Sequence, residues 1–543
     1  MTAKADTPRW MRAARALHDR RMAAMLLLSF AAGLPYGAVL GTLNAWFTTG
    51  GVSPSAIGAF SIVLLVYSFK FLWAPFFQRA SFPLPQRLGP RRAWLLTFQL
   101  AIAVLMAALA LSNPVVNIGL AALIALGIAM LSASHDIVLD AWRIEVARSD
   151  EDLDLMSAIY QFGYRATSLV TGLLALVLAS RIGWPLTYLL LTSMVVISLA
   201  GTLIAPEPEL SGHDDERPSF VTRVAQVLRT RVTWGVALCW AVAAVLLVRF
   251  VFEALTTEPP PSGRDFVRTQ GPFIVALCVI IPAIAAAWLL GRQQPDGGSP
   301  APLTDALFRA ILDPLMDLVS RLRWAALLVL SLVLTYRFTD LVWGAFAYPF
   351  YLGSEHGAIG HTMDEVAIAS KTFGAFMTFA GAGLGGVALV FAGRMPCLVF
   401  GGFVAAITNL LYADLAAGGA ALDGFLALTR LDYMFAAFGA DERMARLMLA
   451  IAGENLASGF ASVASVAYLT SIVNPRFAAV QYALLVSLTM LIGTLGRPAL
   501  GEMIETDGYR AIFILTAWLG MVAVVLAAFE WLRQKKTAGI VRS

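Results

Sequence analysis

The sequence predicts an all-α, polytopic membrane protein with about 14 membrane-spanning helices, and three observations lead to this fold class. Of the 543 residues, 59% are hydrophobic and only 14% are charged, whereas soluble chains are about 25% charged. Apolar runs of about 20 residues, the length that crosses a bilayer, recur along the whole chain. Lysine and arginine collect in alternate loops between these runs, as they do in membrane proteins of fixed orientation.

The apolar runs form a group of six, a central pair and a second group of six. The first six predicted spans lie near residues 22–48, 55–77, 93–112, 115–143, 155–180 and 184–204. The central pair lies near 232–256 and 272–291, and the last six spans lie near 324–352, 364–393, 396–417, 444–473, 476–501 and 509–532. The predicted domains are a tail (1–21), an N-terminal six-helix bundle (22–209), a linker with two additional helices (210–303), a C-terminal six-helix bundle (304–533) and a second tail (534–543).

Basic residues orient the predicted spans. The first tail contains Lys4 and five arginines, four more arginines lie between the second and third spans, and the last tail is also basic. The loops near 49–54 and 113–114 contain no lysine or arginine. Both termini are therefore predicted to be cytoplasmic. The first apolar run is too long for a signal peptide and is expected to remain as a span.

An amphipathic helix is predicted at 304–324, just before the second group of six. Its charged residues recur every four positions opposite apolar side chains: Asp305, Arg309, Asp313, Asp317 and Arg321. This pattern is typical of a helix that lies in the membrane interface. A helix in a solvated loop is the alternative.

Neither the two central spans nor the cysteines indicate a functional site. Arg249 and Glu253 form an i,i+4 pair in an otherwise apolar segment. The two central spans are therefore predicted to pack at the periphery. Cys239, Cys278 and Cys397 lie in apolar segments without a pairing rhythm or CxxC spacing. Neither a disulfide framework nor a metal site is predicted.

Ionisable residues inside predicted spans are the candidates for function, because a charge in the bilayer is costly unless it faces a cavity or a partner. In SASHDIVLDAWRIE (132–145), Asp136, Asp140 and Arg143 fall within about 60° of one another on a helix. This shared face predicts a charge network, with simple anchoring to neighbouring helices as the alternative. His135 lies about 100° around the helix from Asp136. It is interpreted either as a group that takes part in proton movement or as a neutral buried histidine.

Two cations lie deep in the first group of spans. Lys70 is predicted to pair with Asp136 or Asp140, unless its side chain extends to the membrane surface. Arg165 falls near the midplane of the fifth span, about 18 Å along the helix. Its planar guanidinium suits a carboxylate or phosphate, of a ligand or of the protein itself.

The second group of spans has a similar set of charges. Asp340 and Lys371 lie at matching depth on consecutive spans and are a predicted pair. Glu454 lies about 15 Å inside its span, where an apolar setting favours reversible protonation; a permanently ionised structural partner is the alternative. In GAGLGG (381–386), Gly381 and Gly385 predict a close helix contact, because no strand precedes this segment as a dinucleotide site requires.

Several segments resemble the muropeptide permeases of the AmpG type, in the major facilitator superfamily. In chain order they are LNAWF (43–47), YSFKFLWAPF (67–76), GPRRAWLL (89–96), SASHDIVLDAWRIE (132–145), GYRATSLVTGLLAL (163–176), APEPE (205–209), ASKTFG (369–374), ENLASG (454–459) and FAAVQYALLVSL (477–488). The similarity covers both groups of six spans, roughly 20–209 and 305–532.

The resemblance implies two pseudo-symmetric bundles around a central cavity in the bacterial inner membrane. It implies import of N-acetylglucosamine–anhydro-N-acetylmuramic acid, with or without stem peptide, driven by the proton gradient and without another cofactor or a metal. A monomer in the lipid bilayer is expected, with no nucleic acid partner. The predicted substrate-binding residues are Asn44, Trp46, Tyr164, Arg165, Tyr336, Asn455, Gln481 and Tyr482. The predicted proton-coupling and charge network is Lys70, His135, Asp136, Asp140, Arg143, Asp340, Lys371 and Glu454.

The chain departs from this family at three places. His135 stands where the family usually has glutamine, and Gln78 stands where the superfamily usually has an acidic residue before Arg79. The additional spans are central, whereas some relatives carry them at the C-terminus.

Other functions are compatible with the same residues. A related permease would carry another bulky anion, such as a siderophore or an acyl-coenzyme A. A membrane-embedded glycosyltransferase would use DEDLD (150–154), although this segment fits a solvated turn. A sensor that does not transport is the third alternative.

Overall fold

A computed structural model describes residues 19–70, 89–148, 150–207, 231–257, 260–282, 284, 313–322, 325–339, 344–437, 439–473, 485, 489–491 and 493–542. These ranges are built from helices and turns, and they contain no β-strand. The predicted all-α fold class is therefore confirmed.

The N-terminal part of the described chain forms long helices with short irregular joints. Its α-helices are α1 (Arg20–Gly37), α2 (Leu43–Thr49), α3 (Pro54–Phe60), α4 (Leu65–Phe69), α5 (Pro90–Leu111), α6 (Ile118–Val146), α7 (Asp150–Leu169), α8 (Ala175–Ile182) and α9 (Trp184–Ile204). Joints of π-helix at Ala38–Thr42 and Val170–Leu174, and of 3₁₀-helix at Ser61–Leu64, connect α1 to α2, α7 to α8, and α3 to α4. Each connected pair continues as one helical rod.

The central and C-terminal parts follow the same pattern. Their α-helices are α10 (Arg231–Thr256), α11 (Gly263–Thr269), α12 (Gly271–Val275), α13 (Asp313–Leu322), α14 (Ala325–Tyr336), α15 (Ala347–Leu352), α16 (Met363–Val366), α17 (Gly374–Ala392), α18 (Arg394–Ala416), α19 (Ala420–Thr429), α20 (Leu431–Ala437), α21 (Glu442–Ile472) and α22 (Arg497–Arg542). A π-helical joint, Ala367–Phe373, connects α16 to α17. A kink at Gly508 divides α22 where the sequence predicted a break between the last two spans.

Eight of the described helices are long and apolar enough to cross a membrane. They are Pro90–Leu111, Ile118–Val146, Trp184–Ile204, Leu238–Thr256, Met363–Leu389, Arg394–Ala416, Glu442–Leu469 and Thr489–Lys536. Each overlaps one predicted span, and the longest overlaps the last two. Three shorter apolar helices overlap the predicted second, fifth and ninth spans, and a fourth, Ala420–Thr429, lies outside the predicted spans. The total of about 14 spans stays a prediction.

Two glycines reduce the turn between consecutive helices to a single residue. Gly183 separates α8 from α9 at φ 79°, and Gly393 separates α17 from α18 at φ 80°. Residues with a side chain rarely adopt this backbone conformation. Each glycine N–H closes the preceding helix by donating to the carbonyl four residues earlier, at 3.1 Å. The predicted spans on either side therefore end within a few residues of the observed helices.

The chain divides into two compact units that do not match the predicted bundles. The first unit contains residues 1–46 and 69–218, and the second contains 47–68 and 219–543. Residues 47–68 were predicted to belong to the N-terminal bundle, but their contacts place them in the second unit. The reason is the packing of α3 against the first turns of α22.

Small residues allow α3 and α22 to pack backbone to backbone. A Cβ atom on Gly58 would lie 2.6 Å from the Arg497 carbonyl oxygen, and one on Gly501 would lie 2.5 Å from the Pro54 carbonyl oxygen. At the start of α3, the Ser55 N–H donates to Glu505 Oε1 at 2.8 Å. A carboxylate at a helix N-terminus is favourable because it meets unpaired N–H groups and the positive end of the helix dipole.

The central segment is fastened to the same part of α22. Ser262 Oγ and the Arg264 N–H both donate to Glu502 Oε2 at 2.9 Å, and the Arg264 guanidinium lies 3.0 Å from Asp507. Gly263 brings the backbones together, since a Cβ there would lie 2.5 Å from the Pro498 carbonyl oxygen. The N-terminus of α11 is thus anchored by an acidic turn of α22.

Helix α10 presents an apolar face away from the protein, as the sequence predicted for a peripheral span. Val245 and Phe252 are 65% and 66% exposed on this helix. The predicted i,i+4 pair is present, with Arg249 Nε 2.7 Å from Glu253 Oε1.

Helix α13 occupies part of the predicted amphipathic segment and packs on protein. Leu318 is 6% exposed and joins a hydrophobic cluster with Val329 and Leu332 of α14. Arg321 pairs with Asp317 at 2.8 Å and donates to the Ile472 carbonyl at 3.1 Å. In the described part of the segment, the apolar side is therefore covered at least partly by the second unit.

The predicted small-residue contact at GAGLGG is confirmed. Gly381 lies directly against the Leu456 carbonyl of α21, and a Cβ on Gly385 would lie 3.1 Å from the Phe460 carbonyl oxygen. Gly383, on the opposite side of α17, has open space around it. Glycines at i and i+4 therefore allow α17 and α21 to approach closely.

We expect opposite effects from alanine at two of these glycines. Gly381→Ala should lower the stability by about 1–3 kcal/mol, because the new methyl group meets backbone that cannot move away. Gly383→Ala should raise it by about 0.5–1 kcal/mol through reduced backbone entropy. Thermal unfolding of the two purified variants in the same detergent measures the difference. Equal shifts would contradict the observed packing.

Candidate functional site

Helix α6 places a buried carboxylate next to a lysine in the first unit. Asp136 is 7% exposed, and Lys70 Nζ lies 3.8 Å from its Oδ2 atom. The predicted pairing of Lys70 with an acidic residue of the fourth span is thus confirmed. Asp136 Oδ1 is buried and makes no hydrogen bond within the described residues. One oxygen of the carboxylate therefore remains for a proton, a water molecule or a ligand.

The next turn of α6 carries the second part of the charged face. Arg143 Nη2 lies 2.9 Å from Asp140 Oδ1, and its guanidinium lies 5.2 Å from the ring centre of Tyr160. Tyr160 is within electrostatic range of Asp136, Asp140 and Arg143 together. Tyr160 was not among the predicted residues, although its i,i+4 spacing from Tyr164 was a signal that indicated it.

An aromatic row continues from this charged face. The Tyr160 and Tyr164 rings are 5.9 Å apart on α7, and the Tyr164 and Tyr36 rings are 6.5 Å apart. All three residues are half-buried, so their rings are partly accessible. Aromatic faces next to a guanidinium are groups that bind sugar rings and carboxylates. Tyr164, predicted to bind substrate, lies in the middle of this row.

His135 faces away from the charged network, as its angle on the helix predicted. It is fully buried, and its Nε2 lies 3.5 Å from Gln99 Nε2 of α5. Thr202 Oγ1 donates to Gln99 Oε1 at 2.7 Å, so the Gln99 amide group is directed toward the imidazole. The arrangement fits a neutral histidine that accepts at Nε2. Gln99, an isolated polar residue in an apolar span, was not among the predicted residues.

Two predicted substrate residues lie in closely packed surroundings. Trp46 is 6% exposed; it stacks on Trp184 at 6.0 Å and lies 5.1 Å from the Tyr188 ring. Asn44 is 2% exposed on the same helix, α2. The contacts of Trp46 are those of an aromatic packing cluster within the first unit.

Motifs that are distant in the sequence meet at one end of the first unit. The Arg91 N–H donates to Glu207 Oε1 at 2.8 Å, the Arg91 guanidinium pairs with Glu145, and Arg92 donates to the Leu203 carbonyl at 2.8 Å. Burial raises the pKa of the Glu207 carboxyl, although the Arg91 N–H acts against this shift. GPRRAWLL, WRIE and APEPE thus hold α5, α6 and the end of α9 together.

DEDLD has a structural role in this unit. Arg21 is 5% exposed, pairs with Asp152 at 3.0 Å and with Asp19 at 2.7 Å, and donates to the Val146 carbonyl at 3.0 Å. The hydrogen bond from Arg21 lowers the pKa of the Asp19 carboxyl to about 2. Asp152 therefore anchors α1 to the start of α7.

The second unit has a hydrogen-bonded group around Glu454. Asn455 Nδ2 donates to Glu454 Oε2 at 2.8 Å, and Thr378 Oγ1 donates to Asn455 Oδ1 at 2.8 Å. The hydroxyls of Tyr351 and Tyr412 are 3.0 Å apart and within electrostatic range of Glu454. Predicted residues Glu454 and Asn455 are thus brought together with three hydroxyl groups that sequence analysis missed.

The remaining predicted residues of the second unit have separate contacts. Lys371 lies on the π-helical joint before α17, with its ammonium 4.9 Å from the Tyr348 ring centre. Tyr336 is 8% exposed and donates its hydroxyl to the Leu398 carbonyl at 2.7 Å. Asp340, Gln481, Tyr482 and the side chain of Arg165 lie outside the described part of the chain. The Asp340–Lys371 pair therefore stays a prediction.

Long apolar helices with paired charges inside the predicted spans define a multi-pass membrane transporter, and the comparisons agree. A solved POT family transporter in complex with 5-aminolevulinic acid matches with a TM-score of 0.60 and 12% identity, over 96% of this chain and 97% of that chain. The predicted major facilitator fold is confirmed. The relatives and structural neighbours are permeases and transporters, in agreement with the expectation that the chain is not an enzyme.

The sequence comparisons point to a particular group of transporters. The chain is 27% identical to the anhydromuropeptide permease of Escherichia coli (strain K12), over 94% of this chain and 80% of that protein. It is 24% identical to a Rickettsia felis protein that carries the name AmpG 4, over 94% and 96% of the two chains. The family described as acetyl-coenzyme A transporter 1 matches residues 21–180. The resemblance to AmpG-type permeases is confirmed.

The Lys70–Asp136 contact can be measured by a double-mutant cycle. Lys70→Met and Asp136→Asn should each lower the melting temperature, since each removes a partner from a charge in an apolar setting. The double variant should lose less than the sum, with an interaction energy of about 0.5–3 kcal/mol. The exposed pair Arg249–Glu253 is the matched control and should show a smaller interaction. Additive losses at Lys70 and Asp136 would show that the pair does not interact.

Proposed function

We propose that the protein imports anhydro-muropeptides, that is N-acetylglucosamine–anhydro-N-acetylmuramic acid with or without a stem peptide, for recycling of cell-wall material. The observation that carries this proposal is the similarity to the anhydromuropeptide permease, which extends over 94% of this chain. It includes the segments with the ionisable residues of both groups of spans.

The geometry of the first unit supports a sugar-containing, anionic solute. The row of Tyr36, Tyr164 and Tyr160 supplies aromatic faces, and Arg143 at its end supplies a cation. Such faces bind the apolar side of sugar rings, while a guanidinium binds a carboxylate through two parallel hydrogen bonds. Arg165 belongs to the same helix as two of these tyrosines and is our first choice for the cation.

We place proton coupling at a carboxylate that changes its protonation during transport. Glu454 is the first choice, followed by Asp136 and Asp140. Asn455 donates to Glu454 at 2.8 Å, and this hydrogen bond survives protonation because the carbonyl oxygen of a neutral acid still accepts. Asp136 instead lies 3.8 Å from the Lys70 ammonium.

The cellular setting completes the proposal. The protein works in the bacterial inner membrane, as a monomer, with both termini in the cytoplasm. The basic tails and the absence of lysine and arginine from the loops near 49–54 and 113–114 support this orientation.

A second candidate is transport of an acyl-coenzyme A. The match of residues 21–180 to the family described as acetyl-coenzyme A transporter 1 favours it. The matched region contains Arg143 and the tyrosine row, and a guanidinium binds phosphate as well as carboxylate. Both candidates are bulky anions, so they require the same kind of site.

Uptake into proteoliposomes tests the proposed function. Labelled anhydro-disaccharide should accumulate when the outer solution is more acidic, and it should only equilibrate without a pH gradient. Excess unlabelled muropeptide should compete with the label, whereas acetyl-coenzyme A should not. Uptake of labelled acetyl-coenzyme A, with no uptake of the disaccharide, would favour the second candidate and refute the first.

Glu454→Gln should separate binding from accumulation. The variant keeps a side chain that can accept from Asn455, so substrate binding should be retained within about twofold, but no proton can be carried. We expect the internal concentration to equal the external one under a pH gradient. Glu442→Gln, an exposed position on the same helix, is the matched control and should accumulate normally. Unchanged uphill uptake by Glu454→Gln would exclude Glu454 as the coupling group.

A further inference from the structure

Two short helices, α19 and α20, lie between α18 and α21 and outside the predicted spans; we call them the two-helix segment (420–437). Arg430 alone separates the two helices. One side of the segment packs on the second unit: Leu422, Leu426 and Phe435 are buried, and the Phe435 and Phe373 rings meet edge to face at 6.1 Å. With 10 residues, α19 is about 15 Å long, too short to cross a bilayer.

The other side of the two-helix segment is apolar and exposed. Leu428 is 83% exposed and Tyr433 is 64% exposed, and Phe425 and Met434 are exposed as well. None of the exposed residues of α19 and α20 is charged. The acidic residue inside α19, Asp423, is already paired with Arg446 of α21. A soluble protein rarely presents so continuous an apolar surface to water, so this side of the segment needs a partner.

The base of the two-helix segment lies on the lipid-facing side of α18. A single stripe of exposed apolar side chains runs along α18, because they follow one another at steps of three and four residues: Phe400, Phe403, Ile407 and Leu410. On a helix that crosses the membrane, such a stripe contacts lipid. Asp414 is the next position of this stripe, and its carboxylate accepts from the Leu422 N–H at 2.9 Å. Helix α19 therefore begins where the lipid-facing stripe of α18 ends.

Polar groups next to the exposed surface place it at the boundary between lipid and water. Asp441, Glu442 and Arg443 follow the segment directly and are exposed. At the turn between the two helices, the exposed Arg430 guanidinium lies 5.5 Å from the ring centre of Tyr433. Arginine and tyrosine are typical of the membrane interface, where a guanidinium can bind lipid phosphate. Arg430 also has φ 58°, which glycine adopts at lower cost, so a contact of its side chain would offset a backbone penalty.

We propose that the two-helix segment is an interfacial membrane anchor, in which Phe425 and Leu428 contact acyl chains and Arg430 lies among the lipid head groups. Lipid is the occupant that the observations favour, because the exposed surface continues the lipid-facing stripe of α18. The orientation proposed above makes this the outer leaflet, whereas the anchoring itself depends only on the membrane-spanning fold. Since Phe435 packs on Phe373, the anchor also holds the end of the π-helical joint near the membrane surface.

Spin-label accessibility tests the anchor in proteoliposomes of phosphatidylethanolamine and phosphatidylglycerol. A nitroxide is attached to Leu428→Cys in a protein whose three native cysteines are replaced by alanine. Its collisions with oxygen, which concentrates in hydrocarbon, are compared with its collisions with a water-soluble nickel chelate. Phe403→Cys, on the lipid-facing stripe, and Glu355→Cys, in the exposed loop before α16, are the matched references for lipid and for water.

The oxygen-to-nickel ratio at position 428 should be several-fold higher than at 355 and close to that at 403. A label on Arg430→Cys should give an intermediate ratio, as expected at the level of the head groups. A ratio at 428 equal to that at 355 would show that the segment lies in water, and would overturn the anchor. Low access to both reagents would show cover by protein, such as a second copy of this chain, and would overturn it as well.

A charge on the exposed surface gives a second test. With the label on Phe425→Cys, Leu428→Glu should shift the ratio toward that of the water reference, because a carboxylate opposes insertion into acyl chains. Leu428→Met is the matched control and should leave the ratio unchanged. No shift with Leu428→Glu would contradict the contact with acyl chains. Neither test includes a substrate, so a failure here leaves the proposed transport function intact, and a failure of uptake leaves the anchor intact.

Discussion

Hydrocarbon offers no hydrogen-bond partner and little screening of charge, and this constraint determines where the polar groups of the chain lie. Hydroxyl groups return to the carbonyls of their own helices, as Thr171 does with Thr167 and Thr192 with Tyr188. Charges meet opposite charges, as in Lys70 and Asp136. Buried polar atoms that have neither a backbone hydrogen bond nor an oppositely charged partner are the best candidates for function, because the protein tolerates them in spite of their cost.

The two units meet this constraint in different ways. In the first unit, Asp136 contacts Lys70 and Asp140 contacts Arg143. In the second unit, Glu454 accepts from the neutral Asn455 and lies near tyrosine hydroxyls. The first unit therefore pairs these carboxylates with cations, whereas Glu454 in the second unit is hydrogen-bonded to an amide.

The sequence predicted the features that depend on a single helix, and the ion pair for which few partners were available. The spans follow from the length of the apolar runs, and the Lys70–Asp136 contact follows because few anions lie at that depth. Gly381 and Gly385 were predictable because their spacing alone places them on one face. The contact of His135 with Gln99, and the transfer of residues 47–68 to the second unit, depend on which helices are neighbours. Periodicity within one helix carries no such information.

The attachment of α11 to Glu502 and Asp507 bears on the removal of the central helices. Two donors from the central segment satisfy Glu502, and Arg264 neutralises Asp507. Excising that segment would leave both acidic groups without these partners at the kinked end of α22. Water can replace these partners, because Asp507 is exposed and Glu502 is half-buried, but the α22 backbone at Pro498 would lose the cover that Gly263 gives it. A shortened protein without the central helices would therefore expose this part of α22.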